Sequence, residues 1–475
     1  MNKQSQKSKE VGLVMSVRDY MVTLNGLPEI SINEIIKNKS TGAHAWISKL
    51  DGEVVEAFLF DQNTPAYPGD VFFRTGEPLS VPASEGLLGR IISPLGLPLD
   101  GKSAAHSPTS MLLEKSPPKI DQRRLITDQL VTGFAAVDSL LPLGKGQREL
   151  VLGDPRSGKS VFLAEIFANQ KDTGVICIWA AIGQPIVQIK GVVENLKKLG
   201  ALKNTIVVAT SSSEPVPVIF LTPHAALSIA EYFQEQGRDV LVVLDDMGTH
   251  AKTYRAISLL ARRKPGREAY PGDTFWQHAR LLERAGNFTK GSITVLPVIE
   301  VDLSEFTTFI PTNLMATTDG HLLFRADLSN QGQRPAIDIA RSVTRVGRQT
   351  QTHLQNLLSD RVKSILARSK ELATLSHLAS TLPQETQTAI AQSQAIEEIL
   401  RQEGTCLSEE VQTILFGLVF TNLGKTKDVK FWATLKKTLP EKVRKDKALQ
   451  KLAGDVLKFE TLEDLTKALE KSKIK

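Results

Sequence analysis

Gly153-Asp154-Pro155-Arg156-Ser157-Gly158-Lys159-Ser160 is a complete G-x-x-x-x-G-K-[ST] loop. It follows the apolar run Glu149-Leu150-Val151-Leu152 and opens onto Val161-Phe162-Leu163-Ala164-Glu165-Ile166-Phe167, a helix-like stretch. A strand, a glycine-bearing loop and a helix, in that order, are what phosphate binding demands. Glycines let backbone N–H groups curl around phosphate oxygens, and the helix N-terminus adds its partial positive charge. On this reading Lys159 reaches the outer phosphates and the Ser160 hydroxyl ligates Mg2+. The loop predicts a nucleotide site; whether that site hydrolyses what it holds depends on residues elsewhere.

Working outward, strand-like runs alternate with helical patterns from about residue 120 to 345. The runs are Glu149–Leu152, Val175–Ala180, Thr205–Ala209, Val240–Leu244 and Ser292–Pro297. That alternation predicts a parallel sheet covered on both faces, with the phosphate loop at a strand's C-terminal end. Ahead of it the sequence reads as all-β, with runs at Val11–Val17, Tyr20–Leu24, Ala43–Leu50, Val54–Leu59 and Val71–Arg74. So many short strands in so few residues suggest a small barrel. Gly89 to Gly101 is rich in glycine and proline and marks a boundary. After about Gln349 the pattern is helical, as in Leu354–Leu375 and Ala389–Glu403. The expected organisation is a polar tail at 1–10, a β-barrel at 11–88, a nucleotide-binding α/β domain at 89–348 and a helical domain at 349–475.

A chain of 475 residues is too long for one core and implies several domains. No uninterrupted apolar stretch approaches the roughly 18 residues that cross a bilayer, and the start, MNKQSQKSKE, has no signal-like apolar core. Cys177 and Cys406 stand alone and far apart, which fits a reducing, cytosol-facing location and excludes a disulfide framework. The formal charge is +6, and residues 421–475 hold 15 Lys+Arg against 8 Asp+Glu. The tail therefore carries the whole excess; it reads first as a solvated helical face, and second as a surface for an acidic partner, a membrane or nucleic acid. The basic run Arg262-Arg263-Lys264 has no interleaved stacking aromatics, so no nucleic-acid partner is expected.

Three further positions bear on chemistry. Val240-Leu241-Val242-Val243-Leu244-Asp245-Asp246 is an apolar strand ending in two carboxylates; Asp245 is the expected metal-side acid and Asp246 the expected helix cap. The run Val175–Ala180 leads into Ala181-Ile182-Gly183-Gln184, and at about this point ring-forming ATPases of this layout commonly place a glutamate to polarise water. An amide orients water but cannot accept its proton at neutral pH. Arg345 lies in Ser342-Val343-Thr344-Arg345-Val346-Gly347; from spacing alone it reads as a surface arginine.

With these residues in place, the chain resembles the alpha subunits of F-type rotary ATP synthases over about residues 11–420. The resemblance is carried by Gly86–Arg90 through Leu99-Asp100-Gly101, the phosphate loop with Asp154, Pro265–Asp273 and Ala279–Gly286. It continues in Ile310-Pro311-Thr312-Asn313, Arg334-Pro335-Ala336-Ile337 and Ser342–Gly347. It implies a β-barrel crown, a RecA-like nucleotide-binding domain and a helical bundle. It implies a ring alternating with catalytic beta-type subunits around a central shaft, held peripherally on the cytoplasmic face of a membrane. It also implies Mg-ATP or Mg-ADP kept without turnover by Gly153, Asp154, Pro155, Arg156, Ser157, Gly158, Lys159, Ser160, Gln184, Arg334 and Gln402, with Ser160 and Asp245 toward Mg2+. Arg345 then becomes an arginine that enters the neighbouring subunit's catalytic site.

The sequence departs from that family in places. Pro155 and Arg156 stand where the family usually has Arg and Gln, and Pro155 removes one N–H from the cradle. Gly404 stands at the second position of a Q-x-Q pattern that begins at Gln402. Only Met1–Glu10 precede the barrel, so the helix that docks a peripheral stalk is expected to be missing. Three readings compete: a subunit of a specialised F-type-like ATPase that does not make ATP, a homohexameric export-type ATPase active without a second subunit type, and a ring-shaped RNA translocase. The export type is disfavoured by Gln184, the translocase by the core-like spacing of Phe58, Phe60, Phe72 and Phe73.

Overall fold

A computed structural model describes residues 10–61, 64–302, 306–376, 384–404, 406–472 and 474, the side chains of 369–376 excepted. The predicted polar tail, apart from Glu10, lies outside the described residues. The chain divides into two compact units: 1–123 with 174–299 and 305–317, and 124–173 with 300–304 and 318–475.

In the first unit, β1 (Val11–Arg18), β2 (Met21–Gly26), β3 (Glu34–Asn38), β4 (His44–Asp51), β5 (Val54–Leu59) and β6 (Val71–Pro78) form a closed barrel in the order β1-β2-β5-β4-β3-β6. Period-two alternation decides which side chains face inward: Val14, Val22, Leu24, Ile36, Ile47, Ala57 and Phe72 fill the barrel, while Val11, Leu13 and Met15 face out. Phe58 is buried, and Phe60 and Phe73 are half-buried. Sequence reading did not name β3, whose first inward residue is the acid Glu34. Its carboxylate is paired with Arg74 of β6, Nε to Oε1 at 2.6 Å, a contact 40 residues away in sequence.

The same unit carries parallel strands in the order Ile91–Ile92, Thr205–Ser211, Ile176–Gln184, Asp239–Asp245 and Ser292–Glu300. Each of the last four contains most or all of its predicted run and extends past it. Helix Val216–Glu235 has the length and hydropathy of a membrane span, although Thr222 and His224 interrupt it. Because 89% of its apolar window is buried inside the fold, it is a core helix. The absence of an unbroken apolar run thus concealed one span-like segment, which the sheet covers.

In the second unit, strand Glu149–Gly153 pairs in parallel with Gly320–Phe324, which pairs antiparallel with Val343–Thr344. The helices include His353–Ser376, Gln384–Leu400, Glu409–Val419, Val429–Lys445, Lys447–Val456 and Leu462–Lys471. Helix Gln384–Leu400 stops short of the predicted Glu403. The chain turns there because the Gln402 N–H bonds to the Arg334 carbonyl at 2.6 Å, and the buried Lys436 ammonium takes the Glu398 and Arg401 carbonyls. The basic tail is therefore structured: Trp432, Leu435 and Leu439 are buried, and Asp428, Asp446 and Thr461 cap its helices.

Buried histidines are a further feature of the first unit. His250 Nδ1 and His278 Nε2 lie 3.4 Å apart, with Phe220 stacked on the His250 ring and both histidines almost wholly buried. Burial lowers both rings' affinity for protons, with His224 adding repulsion; His278 falls to about 4. Between pH 6.5 and about 4 the folded chain thus binds fewer protons than the unfolded one. Stability is full above pH 6.5 and is lost as pH falls through that window. Melted side by side, wild type and His278→Asn should show a stability gap that shrinks on acidification by up to about 1.4 kcal/mol per pH unit. A gap constant from pH 7.5 to 4.5 would refute this.

Candidate nucleotide site

Strand Glu149–Gly153 is buried along its length, and its end sets the loop's direction. Gly153 has φ +142°, and a β-carbon there would stand 1.9 Å from the Phe324 carbonyl oxygen. Only glycine fits so close an approach. Asp154 straps the loop to the same neighbour: its N–H donates to the Phe324 carbonyl, and its carboxylate accepts the Ala326 N–H at 2.9 Å. Ser157 is buried and donates its hydroxyl to the Asp154 carbonyl at 2.7 Å. Gly158 then caps helix Lys159–Asn169. Pro155 and Arg156 are exposed, with Arg156 in the left-handed region at φ 59°.

Lys159 is 4% exposed. Its ammonium donates to the Gly153 carbonyl at 3.0 Å and the Asp154 carbonyl at 2.7 Å, and lies 3.5 Å from Glu300 Oε1. Glu300 escaped the sequence reading because the run Ser292–Pro297 stops before it, whereas the strand continues to Glu300; only the fold brings it to the lysine. Ser160 is exposed on the first helical turn. A cavity of about 250 Å³ opens beside the loop, walled by Ser157, Gly158, Val161, Phe162, Arg334 and Gln402 among others. Predicted loop residues and the distant Arg334 and Gln402 thus line one space. The Gln402 amide accepts the Ala135 N–H at 2.6 Å and donates to the Gly133 carbonyl at 2.9 Å. It is spent on backbone and shapes the wall. Arg334 pairs with Glu403 at 2.7 Å. Glu165, also on this wall, was not foreseen; burial raises its pKa, while the Gly404 N–H opposes the rise.

Gln184 and Asp245 lie together in the other unit. Their strands are adjacent in parallel register, Ala181 opposite Asp245, and Gln184 Nε2 donates to the Asp245 carbonyl at 3.2 Å. Asp246 caps helix Met247–Leu260, accepting the Thr249 N–H, as the sequence suggested. Ser160 and Asp245 each offer the hard oxygen that Mg2+ takes. No cluster of three or more His, Cys, Asp or Glu able to hold a metal occurs among the described residues.

Arg345 follows strand Val343–Thr344 and is exposed. Its N–H donates to the Asp319 carbonyl at 3.0 Å. Among the described residues no hydrogen bond or ion pair engages its guanidinium.

The loop, the parallel strands and the capped helix define a phosphate-loop nucleotide-binding protein, and comparison with known proteins narrows the class. The sequence profile of the ATP synthase alpha/beta family, nucleotide-binding domain, matches residues 133–344. The chain is 38% identical over 431 residues to the ATP synthase subunit alpha of Mannheimia succiniciproducens, spanning 87% of this chain and 84% of that one. It belongs to the family of F-type ATP synthase alpha subunits.

Glu300 places a negative charge beside the cation that phosphate would meet. Glu300→Gln should therefore tighten Mg-ATP binding by roughly two- to five-fold, the scale of an exposed ion pair. Isothermal titration calorimetry showing equal or weaker affinity would remove Glu300 from the site.

Proposed function

We propose that this chain is the nucleotide-holding, non-catalytic subunit of a rotary F-type ATPase ring. It keeps Mg-ATP or Mg-ADP at its own phosphate loop without turnover and lends Arg345 to the catalytic site of an adjacent beta-type subunit. The ring surrounds a central shaft, sits peripherally on the cytoplasmic face of a membrane, and couples ATP synthesis or hydrolysis to proton or sodium movement.

The observation that carries this reading is Gln184. It stands beside Asp245, and its amide can hold a water but cannot take the proton that water must lose. Lys159, Ser160 and Arg334 serve binding, and Gln402 serves it by shaping the cavity wall. Bound Mg2+ would offset phosphate charge, with Ser160 and Asp245 the residues assigned to it. The guanidinium of Arg345 is exposed, and no hydrogen bond or ion pair among the described residues holds it; this supports its assignment as a group that reaches another subunit, where stabilising transition-state charge is worth orders of magnitude in rate.

The test is a complex reconstituted with a beta-type subunit. Arg345→Ala should leave assembly and nucleotide binding by this chain intact and slow turnover by the complex about a thousand-fold; unchanged turnover would remove the assignment. The isolated chain should hydrolyse no ATP, and brisk hydrolysis would favour the self-sufficient export-type ATPase instead. Gln184→Glu tests the missing base: turnover appearing at the chain's own site would show that the amide alone keeps it silent.

A further inference from the structure

The loop that presents Arg345 is held by the residues that lead into the phosphate-loop strand. Arg148 grips Asp319: its N–H and Nε donate to Oδ2 at 2.9 and 3.1 Å, and Nη2 donates to Oδ1 at 2.8 Å. Its carbonyl accepts the Asp319 N–H at 2.7 Å. The Asp319 carbonyl in turn accepts the Arg345 N–H. The backbone of Arg345 is thus one residue removed from a bidentate, charge-assisted clamp, the geometry that best fixes position.

Gln147 supplies a second hold. Its Nε2 donates to Thr344 Oγ1 at 3.2 Å and to Glu149 Oε2 at 2.8 Å, and its Oε1 accepts the Gly144 N–H at 2.7 Å. The Thr344 hydroxyl also donates to the Pro142 carbonyl and accepts the Gly347 N–H. Thr344, the residue before Arg345, is therefore bracketed on several sides. Glu149 is fully buried, and its Oε1 has no hydrogen-bond partner. Such an orphaned oxygen is costly, and sheet formation alone does not require an acid there. Gly320 separates the two strands, opposite Glu149 on one side and Thr344 on the other. A β-carbon on Gly320 would stand 2.6 Å from Glu149 Oε2 and 2.2 Å from the Val343 carbonyl oxygen. The three strands are locked at the one point where Arg345 emerges.

We propose that Arg148 and Gln147 are positioning residues for Arg345, with Glu149 orienting Gln147. They fix the backbone from which the guanidinium reaches into the neighbouring subunit. This rests on the reading of Arg345 as a donated arginine. One buried strand then serves both ends of the function, because residues 147–149 hold the lent arginine and residues 153–160 hold the chain's own nucleotide.

The test uses the complex reconstituted with a beta-type subunit, comparing Arg345→Ala, Arg148→Ala and Thr344→Val with the doubles Arg148→Ala/Arg345→Ala and Thr344→Val/Arg345→Ala. Misplacing a catalytic group by about 1 Å costs roughly 100-fold. Arg148→Ala should therefore lower kcat about 10- to 100-fold with little change in KM, and Thr344→Val should lower it less. Each double should turn over no more slowly than Arg345→Ala alone, since a positioning residue has nothing to position once the arginine is gone. Losses that multiply in the doubles, or singles with wild-type kcat, would overturn the proposal. If Arg148→Ala fails to assemble, the Thr344→Val pair decides by the same criterion. Wild-type turnover by Arg345→Ala would instead overturn the donated-arginine reading, so the two failures are distinguishable.

Discussion

The constraint on which the phosphate loop depends is the approach of Gly153 to the Phe324 carbonyl, which leaves no room for a β-carbon. It forces the chain to leave the sheet at one angle, and Asp154 secures that angle through the Ala326 N–H. The loop that follows is then shaped from within. Ser157 donates to the Asp154 carbonyl, and Lys159 to the Gly153 and Asp154 carbonyls. The loop keeps its form through these bonds, which helps explain how it tolerates two unusual residues. Pro155 and Arg156 lie on its outer, exposed side, where the lost N–H of proline and the left-handed backbone of Arg156 leave the inner contacts untouched.

The same strand imposes order at its other end. Its parallel partner, Gly320–Phe324, continues the pairing out to Val343–Thr344, so the start of the phosphate-loop strand and the start of the Arg345 loop are neighbours. Arg148, Gln147 and Asp319 fill that junction with charge-assisted and buried hydrogen bonds. A rigid support of this kind suits a side chain that must act outside its own subunit, because no hydrogen bond or ion pair among the described residues holds the exposed guanidinium itself. In the other unit, Gln184 is fixed against the Asp245 carbonyl. An amide so placed is a poor base, and the chemistry proposed for this chain accordingly moves from Lys159 to Arg345.

Much of this was legible in residue order. The phosphate loop, five parallel strands, five of six barrel strands and the Asp246 cap follow from patterns a few residues long: glycine spacing, apolar runs, alternation and a carboxylate before a helix. Strand β3 was not named, because its inward-facing Glu34 disguises it until Arg74 is brought opposite. Helix Gln384–Leu400 ends early because a lysine some 35 residues later takes the last carbonyls. The Lys-rich tail read first as a solvated face, yet Lys436 is buried and works as a cap.

By itself the sequence determined the class of protein and the identity of its phosphate loop, since both are written in local spacing that any fold of the chain must respect. The tertiary structure alone decided that Glu300 meets Lys159, that Gln402 is spent on backbone, and that residues 147–149 brace Arg345. Each of these pairings joins residues far apart along the chain, and local periodicity holds no information about which distant partners close packing will bring within hydrogen-bonding reach.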